Sequence, residues 1–151
     1  MPPPPKPEVP AVSAEALARL SLPADPEHLE TLLEFVNGQA QAAGLEPHDL
    51  YRVDLAAEEV LTNIVKYAYP RGGGQVRVDC GVAGQSFVME FRDQGQPFDP
   101  LAAAAPDLAE DLRQRPVGGL GIHLVRQVMD QVSYQRQGDT NLLRLAKTIA
   151  A

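Results

Sequence analysis

The sequence holds a single cysteine, Cys80, which excludes an internal disulfide and a multi-cysteine zinc site. It is also short of positive charge: 13 Lys and Arg stand against 20 Asp and Glu, for a formal net charge of −7. A surface for nucleic acid or an anionic membrane needs a basic face to offset phosphate charge, so neither partner is expected. No apolar run approaches the ~20 residues that span a bilayer. The opening MPPPPKPEVP lacks the apolar stretch of a secretory signal. A cytoplasmic protein is the expectation. What is present is ordinary for one globular domain: 151 residues, 44% hydrophobic and 22% charged, too apolar for wholesale disorder.

Six of the 14 prolines fall within residues 2–10. Such a stretch neither forms a helix nor donates a ladder, and reads as a solvated leader. Leu20 and Leu22 alternate as a short strand ending at Pro23. Asp25-Pro26-Glu27 supplies an N-cap, an N1 proline and a first-turn acid for a helix. Leu29, Leu32, Leu33, Val36, Ala40 and Ala43 continue it, and Gly44 stops it. A second helix runs from about Pro47 to Ala68. Val76, Val78, Cys80 and Val82 alternate along a strand, with a turn at Ala83-Gly84-Gln85 and a return strand through Phe87, Met89 and Phe91. Cys80 is thus a buried small hydrophobe, not a nucleophile. An Ala/Pro-rich stretch from Leu101 to Val117 follows, of the length that is either functional or mobile. A helix after Gly118-Gly119-Leu120-Gly121 and two strands around Val132–Gln135 and Leu142–Ala146 close the chain. Two helices before the strands and one among them favour an α+β sandwich over an alternating βαβ sheet.

Three groups of residues carry chemistry. Glu59 and Asn63 lie four apart on the second helix, one turn from each other, at the edge of its apolar stripe. An amide oxygen is a hard ligand for Mg²⁺, and a carboxylate beside it accepts a hydroxyl proton. Asp93-Gln94-Gly95 ends the Phe87–Phe91 strand, where a carboxylate accepts from an exocyclic amine and glycine lets backbone approach a flat ring. Gly118-Gly119-Leu120-Gly121 opens a helix, whose first amides attract an anion. Each has an ordinary reading by itself: a solvated helix face, a loop that merely turns, a flexible connection. The glycines form neither a Walker A motif, since no Gly-Lys-Ser/Thr follows, nor a Rossmann fingerprint, since no strand precedes them.

Together and in this order, the three groups resemble the ATP-binding domain shared by gyrase-type ATPases and histidine kinases, and within it the bacterial anti-sigma factor serine kinases. The resemblance covers about residues 16–148 and is carried by PADPEHLETLLEFV, DLAAEEVLTNIVKYAY, FRDQGQPFDP, GGLGIHLVRQVMDQVSY and NLLRLAK. It implies a Bergerat-type two-layer α/β sandwich over residues 16–151, behind a leader of residues 1–15. The sheet would be mixed and mostly antiparallel, with helices on one face and an ATP lid. It implies ATP and Mg²⁺ as cofactors. Glu59 matches the catalytic base, Asn63 the magnesium ligand, Asp93 the adenine-reading carboxylate and Gly95 the glycine beside the ring. Gly119 and Gly121 match the phosphate-side glycines, and Thr140 a final-strand threonine near adenine. Lys66 and Arg71 are cations that no motif places.

The implied activity is a Mg-ATP-dependent protein serine/threonine kinase acting as an anti-sigma regulatory factor. Its substrate would be an anti-anti-sigma (STAS-type) partner. A homodimer and binding to a sigma factor are implied as well. The alternative is a nucleotide-gated partner-binding switch without turnover, because the same motifs guarantee nucleotide contact and not phosphotransfer. A sensor histidine kinase fragment would need an upstream two-helix phosphoacceptor segment. His123, in the first turn after the glycines, reads as a packing contact, and His28 and His48 as solvated first-turn residues.

Overall fold

The computed structural model describes Val9, residues 17–98 and residues 119–149, except the side chains of residues 119–122. The leader apart from Val9 and the stretch from Leu101 to Val117 lie outside the described residues. So do Gly118 and the acidic residues Asp107, Glu110 and Asp111.

Strand β1 (Ala18–Pro23) is followed by a 3-10 turn at Pro26–His28, helix α1 (Leu29–Ala42) and helix α2 (Pro47–Asn63). Strands β2 (Gln75–Ala83) and β3 (Ser86–Asp93) form a hairpin, and α3 (Gly119–Val128) precedes the hairpin of β4 (Gln131–Gln137) and β5 (Thr140–Thr148). The sheet order is β1-β2-β3-β5-β4. Every described pairing is antiparallel, so the sheet is antiparallel throughout where a mixed one was expected.

Leu32, Val36 and Ala40 repeat at the helical period and form the buried stripe of α1. Its end is a Schellman motif: the Gly44 N–H bonds Gln41 O and the Leu45 N–H bonds Ala40 O, with Gly44 at φ +92°. The start differs from expectation. The Asp25 side chain caps nothing; its carbonyl instead accepts from the His28 N–H, so the helix opens as a tighter turn. Along α2 the buried stripe is Val53, Ala56, Ala57, Val60 and Leu61. Asn37 Nδ2 reaches both carboxylate oxygens of Asp54, at 3.0 and 2.9 Å, and joins the two helices.

Strand alternation divides the sheet into two faces. Val76, Val78, Cys80, Met89, Phe91, Leu143 and Leu145 face the helices and form the core with them. The opposite face carries a cross-strand row, Arg19–Asp79–Glu90–Arg144, set by register. Asp79 is fully buried; Oδ1 accepts from Arg19 at 2.7 Å, and Oδ2 accepts from Arg92 at 2.7 Å and Arg77 at 3.1 Å. Glu90 pairs with Arg92 at 3.0 Å, while Arg144 Nε lies 2.9 Å away without hydrogen-bond alignment. Val9 is buried against Val88 and Ala146 on this same face. None of the described helices is long and apolar enough to cross a membrane.

Cys80 is buried in the core. Loss of hydration pushes its thiol up to about 12, with the Asp79 charge adding to the shift. The thiolate is the reactive form, so the folded chain is expected to resist a thiol reagent at pH 8 and to react with one equivalent once unfolded. Rapid labelling of the native chain would contradict this placement.

Candidate active site

The site is built where α2 ends. After Asn63 the chain widens into a π-helical turn, Ile64–Ala68, a local expansion often found at functional sites. The last carbonyls of a helix have no partner within it, and here Gln96 supplies one. Its N–H donates to Ala68 O at 2.9 Å and its side-chain amide donates to Tyr67 O at 2.6 Å. Gly95 makes this approach feasible, because a Cβ there would lie 2.2 Å from Ala68 O. Tyr69 closes the other side. Its hydroxyl accepts from the Gln94 N–H at 2.7 Å and donates to Gln75 O at 2.5 Å. Burial raises the Tyr69 pKa above its usual value and the Asp93 charge adds to the effect, against the hydrogen bond from Gln94. The phenol therefore keeps the proton that it donates.

Between this turn and the sheet lies a cavity of ≈ 290 Å³. Val60, Ile64, Ala68, Phe91 and Leu143 provide apolar walls, while Asn63, Asp93 and Asn141 provide polar ones. Asp93 is 7% exposed. Its Oδ1 accepts from the Gly95 N–H and from Asn141 Nδ2, each at 2.9 Å. Among the described residues its hydrogen bonds all fall on that oxygen, leaving Oδ2 for a ligand. Asn63 Nδ2 is buried with no hydrogen-bond partner among the described residues. An unpaired buried amide costs about 1–3 kcal/mol, a cost that a ligand atom at the cavity wall removes. A half-turn of the amide presents its oxygen instead, so the position fits a hard cation as well.

A mostly apolar cavity with one carboxylate acceptor and an unpaired amide suits a nucleotide base beside metal-bound phosphates. The chain matches the histidine kinase-like ATPase domain family over residues 22–147. It belongs to that family. It is 32% identical over 96 residues to the serine/threonine-protein kinase BtrW of Bordetella bronchiseptica, covering 63% of this chain and 68% of that one. It is 31% identical over 123 residues to the serine-protein kinase RsbW of Bacillus velezensis, covering 77% and 76%. The chain is thus an ATP-using domain of the protein-kinase type, related to RsbW. Solved structures agree in fold. The RsbU and RsbW domains of Rv1364c from Mycobacterium tuberculosis superpose with a TM-score of 0.65 at 14% identity, covering 89% of this chain and 33% of that one. The Acinetobacter baumannii histidine kinase AdeS gives 0.51 at 17% identity, covering 87% and 68%.

Within this histidine kinase-like domain the residues named from the sequence are distributed unevenly. Asn63 and Asp93 line one cavity, and Gly95 packs against Ala68, which lines it as well. Glu59 sits one turn before Asn63 on α2, half-buried and off the cavity wall. Gly119 and Gly121 fall in the first turn of α3, which packs on α2. Lys66 and Arg71 are exposed. Thr140 is placed apart from these residues. It is in phase with Leu142 and Arg144 on the helix-free face, its hydroxyl bonds Asp139, and it does not line the cavity. Its neighbour Asn141, in phase with Leu143 and Leu145, takes that place.

Sequence reasoning missed Tyr69, Gln96, Tyr134, Arg136 and Asn141. For Asn141 and Tyr134 a signal was available: a polar group in step with the buried positions of its strand. The close contact at Gly95 generates a prediction. Gly95→Ala forces the 93–96 loop off Ala68 and is expected to cost about 1–3 kcal/mol as an overpacked position, read as a lower urea midpoint. An unchanged midpoint would show that the loop yields freely.

Proposed function

We propose that this domain, spanning residues 16–151, is a Mg-ATP-dependent protein serine/threonine kinase acting as an anti-sigma regulatory factor. It transfers the γ-phosphoryl group of ATP to a serine of an anti-anti-sigma (STAS-type) partner. The observation that carries this reading is the single cavity shared by Asp93 and Asn63, in a chain related to serine-protein kinases. Binding to a sigma factor, a homodimer and a cytoplasmic location belong to the same reading.

Each residue has a defined part in it. Asp93 Oδ2 accepts a hydrogen bond from the adenine 6-amino group, and Gly95 lets the loop backbone lie close beneath the ring. The Asn63 amide oxygen holds Mg²⁺, which when bound supplies positive charge against the triphosphate. Glu59 takes the proton of the attacking serine, and the first-turn amides of α3 at Gly119 and Gly121 face the phosphates. Positioning and charge stabilisation carry most phosphoryl-transfer catalysis.

One observation favours a nucleotide-gated switch without turnover: Glu59 stands off the cavity wall. Two measurements separate the readings. Calorimetric titration with ATP is expected to show Mg²⁺-dependent binding that Asp93→Asn weakens at least about tenfold, the worth of one charge-assisted hydrogen bond. With a STAS-type acceptor, Glu59→Gln is expected to lower phosphotransfer by roughly 10²-fold or more with ATP affinity intact. Full phosphotransfer by that variant would remove Glu59 as the base. Tight ATP binding with no transfer by the unaltered chain would leave the switch.

A further inference from the structure

The helix-free face of the sheet has a covered spot that no described helix accounts for. By register, Gly81 on β2, Val88 on β3 and Ala146 on β5 form one row across that face. Val88 and Ala146 are fully buried, although the helices pack on the other side. The residue seated on them is Val9, itself 5% exposed, with Ala83 beside the group. A valine far ahead of β1 thus lies against the middle of the sheet.

The chain is long enough to do this within one molecule. Strand β1 begins at Ala18, which faces Cys80, one position along from Gly81. From β1 to a point between β3 and β5 is about 12 Å at ~4.8 Å per strand. The eight steps from Val9 to Leu17 reach ~26 Å when extended. That is enough to leave the β1 edge and return over the face.

The local sequence suits an overlay and not a sixth strand. Val9 lies in Pro7-Glu8-Val9-Pro10. Neither proline has an N–H to give a ladder, and a residue before proline is driven to extended backbone. Such a segment loses little freedom on docking. Charge is complementary as well. Arg19, Arg77, Arg92 and Arg144 share this face with two carboxylates, Asp79 and Glu90, so it is basic in a chain of net charge −7. Arg144 stands two residues from Ala146, and its Nε has no hydrogen-bond partner among the described residues. Glu8, adjoining the anchor, is the first acid of the leader.

We propose that the leader of residues 1–15 is an intramolecular strap, docked by Val9 on Val88 and Ala146 and guided by Glu8 toward the arginines of the helix-free face. The strap stands apart from the nucleotide reading, since its contacts lie on the face away from the cavity.

The test uses the full chain carrying Val9→Cys and measures thiol labelling at pH 8, with each labelled peptide identified by mass spectrometry. Cysteine is a small hydrophobe and keeps the anchor. The reference rate comes from a synthetic peptide of residues 1–15 with the same substitution. In the folded chain, labelling at position 9 is expected to be at least about tenfold slower, the protection that burial of one small apolar side chain supports. Slow labelling of Cys80 in the same sample reports that the chain is folded. Adding Glu8→Lys is expected to cut the protection severalfold, more at low salt than at high; equal protection in the two chains overturns the part given to Glu8. Labelling at the peptide's rate, with Cys80 still protected, overturns the strap. Protection that grows with protein concentration overturns it too, because one copy's leader is then seated on another.

Discussion

The contact between Ala68 and the loop of residues 94–96 is the constraint on which the site depends. Beyond the core packing that α2 and β3 share, it fixes the spacing between the end of α2, which carries Asn63, and the end of β3, which carries Asp93. The helix needs donors for its last carbonyls, and the loop has amide groups to place. One backbone hydrogen bond contributes only ~0.5–1.5 kcal/mol, so its importance is geometric. Gly95 sets how near the two can come, and the Tyr69 hydroxyl holds the neighbouring Gln94 N–H from the opposite side. The cavity is the space that remains once this contact is made.

Two buried aspartates show how environment separates structure from function. Asp79 and Asp93 both lie on strands, at 0% and 7% exposure. Asp79 meets three guanidinium groups that engage both of its oxygens, so its capacity is spent within the fold. It fastens β1, β2 and β3 together across the helix-free face. Asp93 meets neutral donors on one oxygen only. The same side chain, given partners of different charge and number, becomes in one place a rivet and in the other an acceptor held open.

The sequence made much of this legible and some of it not. The helices follow from apolar spacing, the end of α1 from Gly44, and the hairpin of β2 and β3 from strict alternation. Asp93 stood out as a carboxylate at the end of the Phe87–Phe91 strand, and the structure shows it keeping that strand's parity on the buried face. Thr140 and Asn141 are one residue apart and face opposite ways. Side chains alternate between faces, so a slip of one position exchanges them, and only the phase of Leu143 and Leu145 marks 141 and not 140 as the inward position. The π-helical turn left no mark either. It keeps the apolar periodicity of α2 nearly intact, and Gln96, which engages its carbonyls, is distant in sequence. The Arg19–Asp79–Glu90–Arg144 row joins four strands, and only the register brings its members into line.

Charge decides how a nucleotide would lie in this site. Among the described residues lining the cavity there is no lysine or arginine, and one of them is a carboxylate. A triphosphate pushed inward would meet Asp93 at low effective dielectric, where like charges repel far more strongly than in water, and would trade its hydration for apolar walls. A purine loses little by the same move, because its faces are apolar and its 6-amino group finds an acceptor. On the proposed function the base would therefore enter the cavity, and the triphosphate with its metal would remain outside it, toward Asn63 and the first turn of α3. In a chain of net charge −7, such local provision, not the overall field, has to hold an anionic substrate.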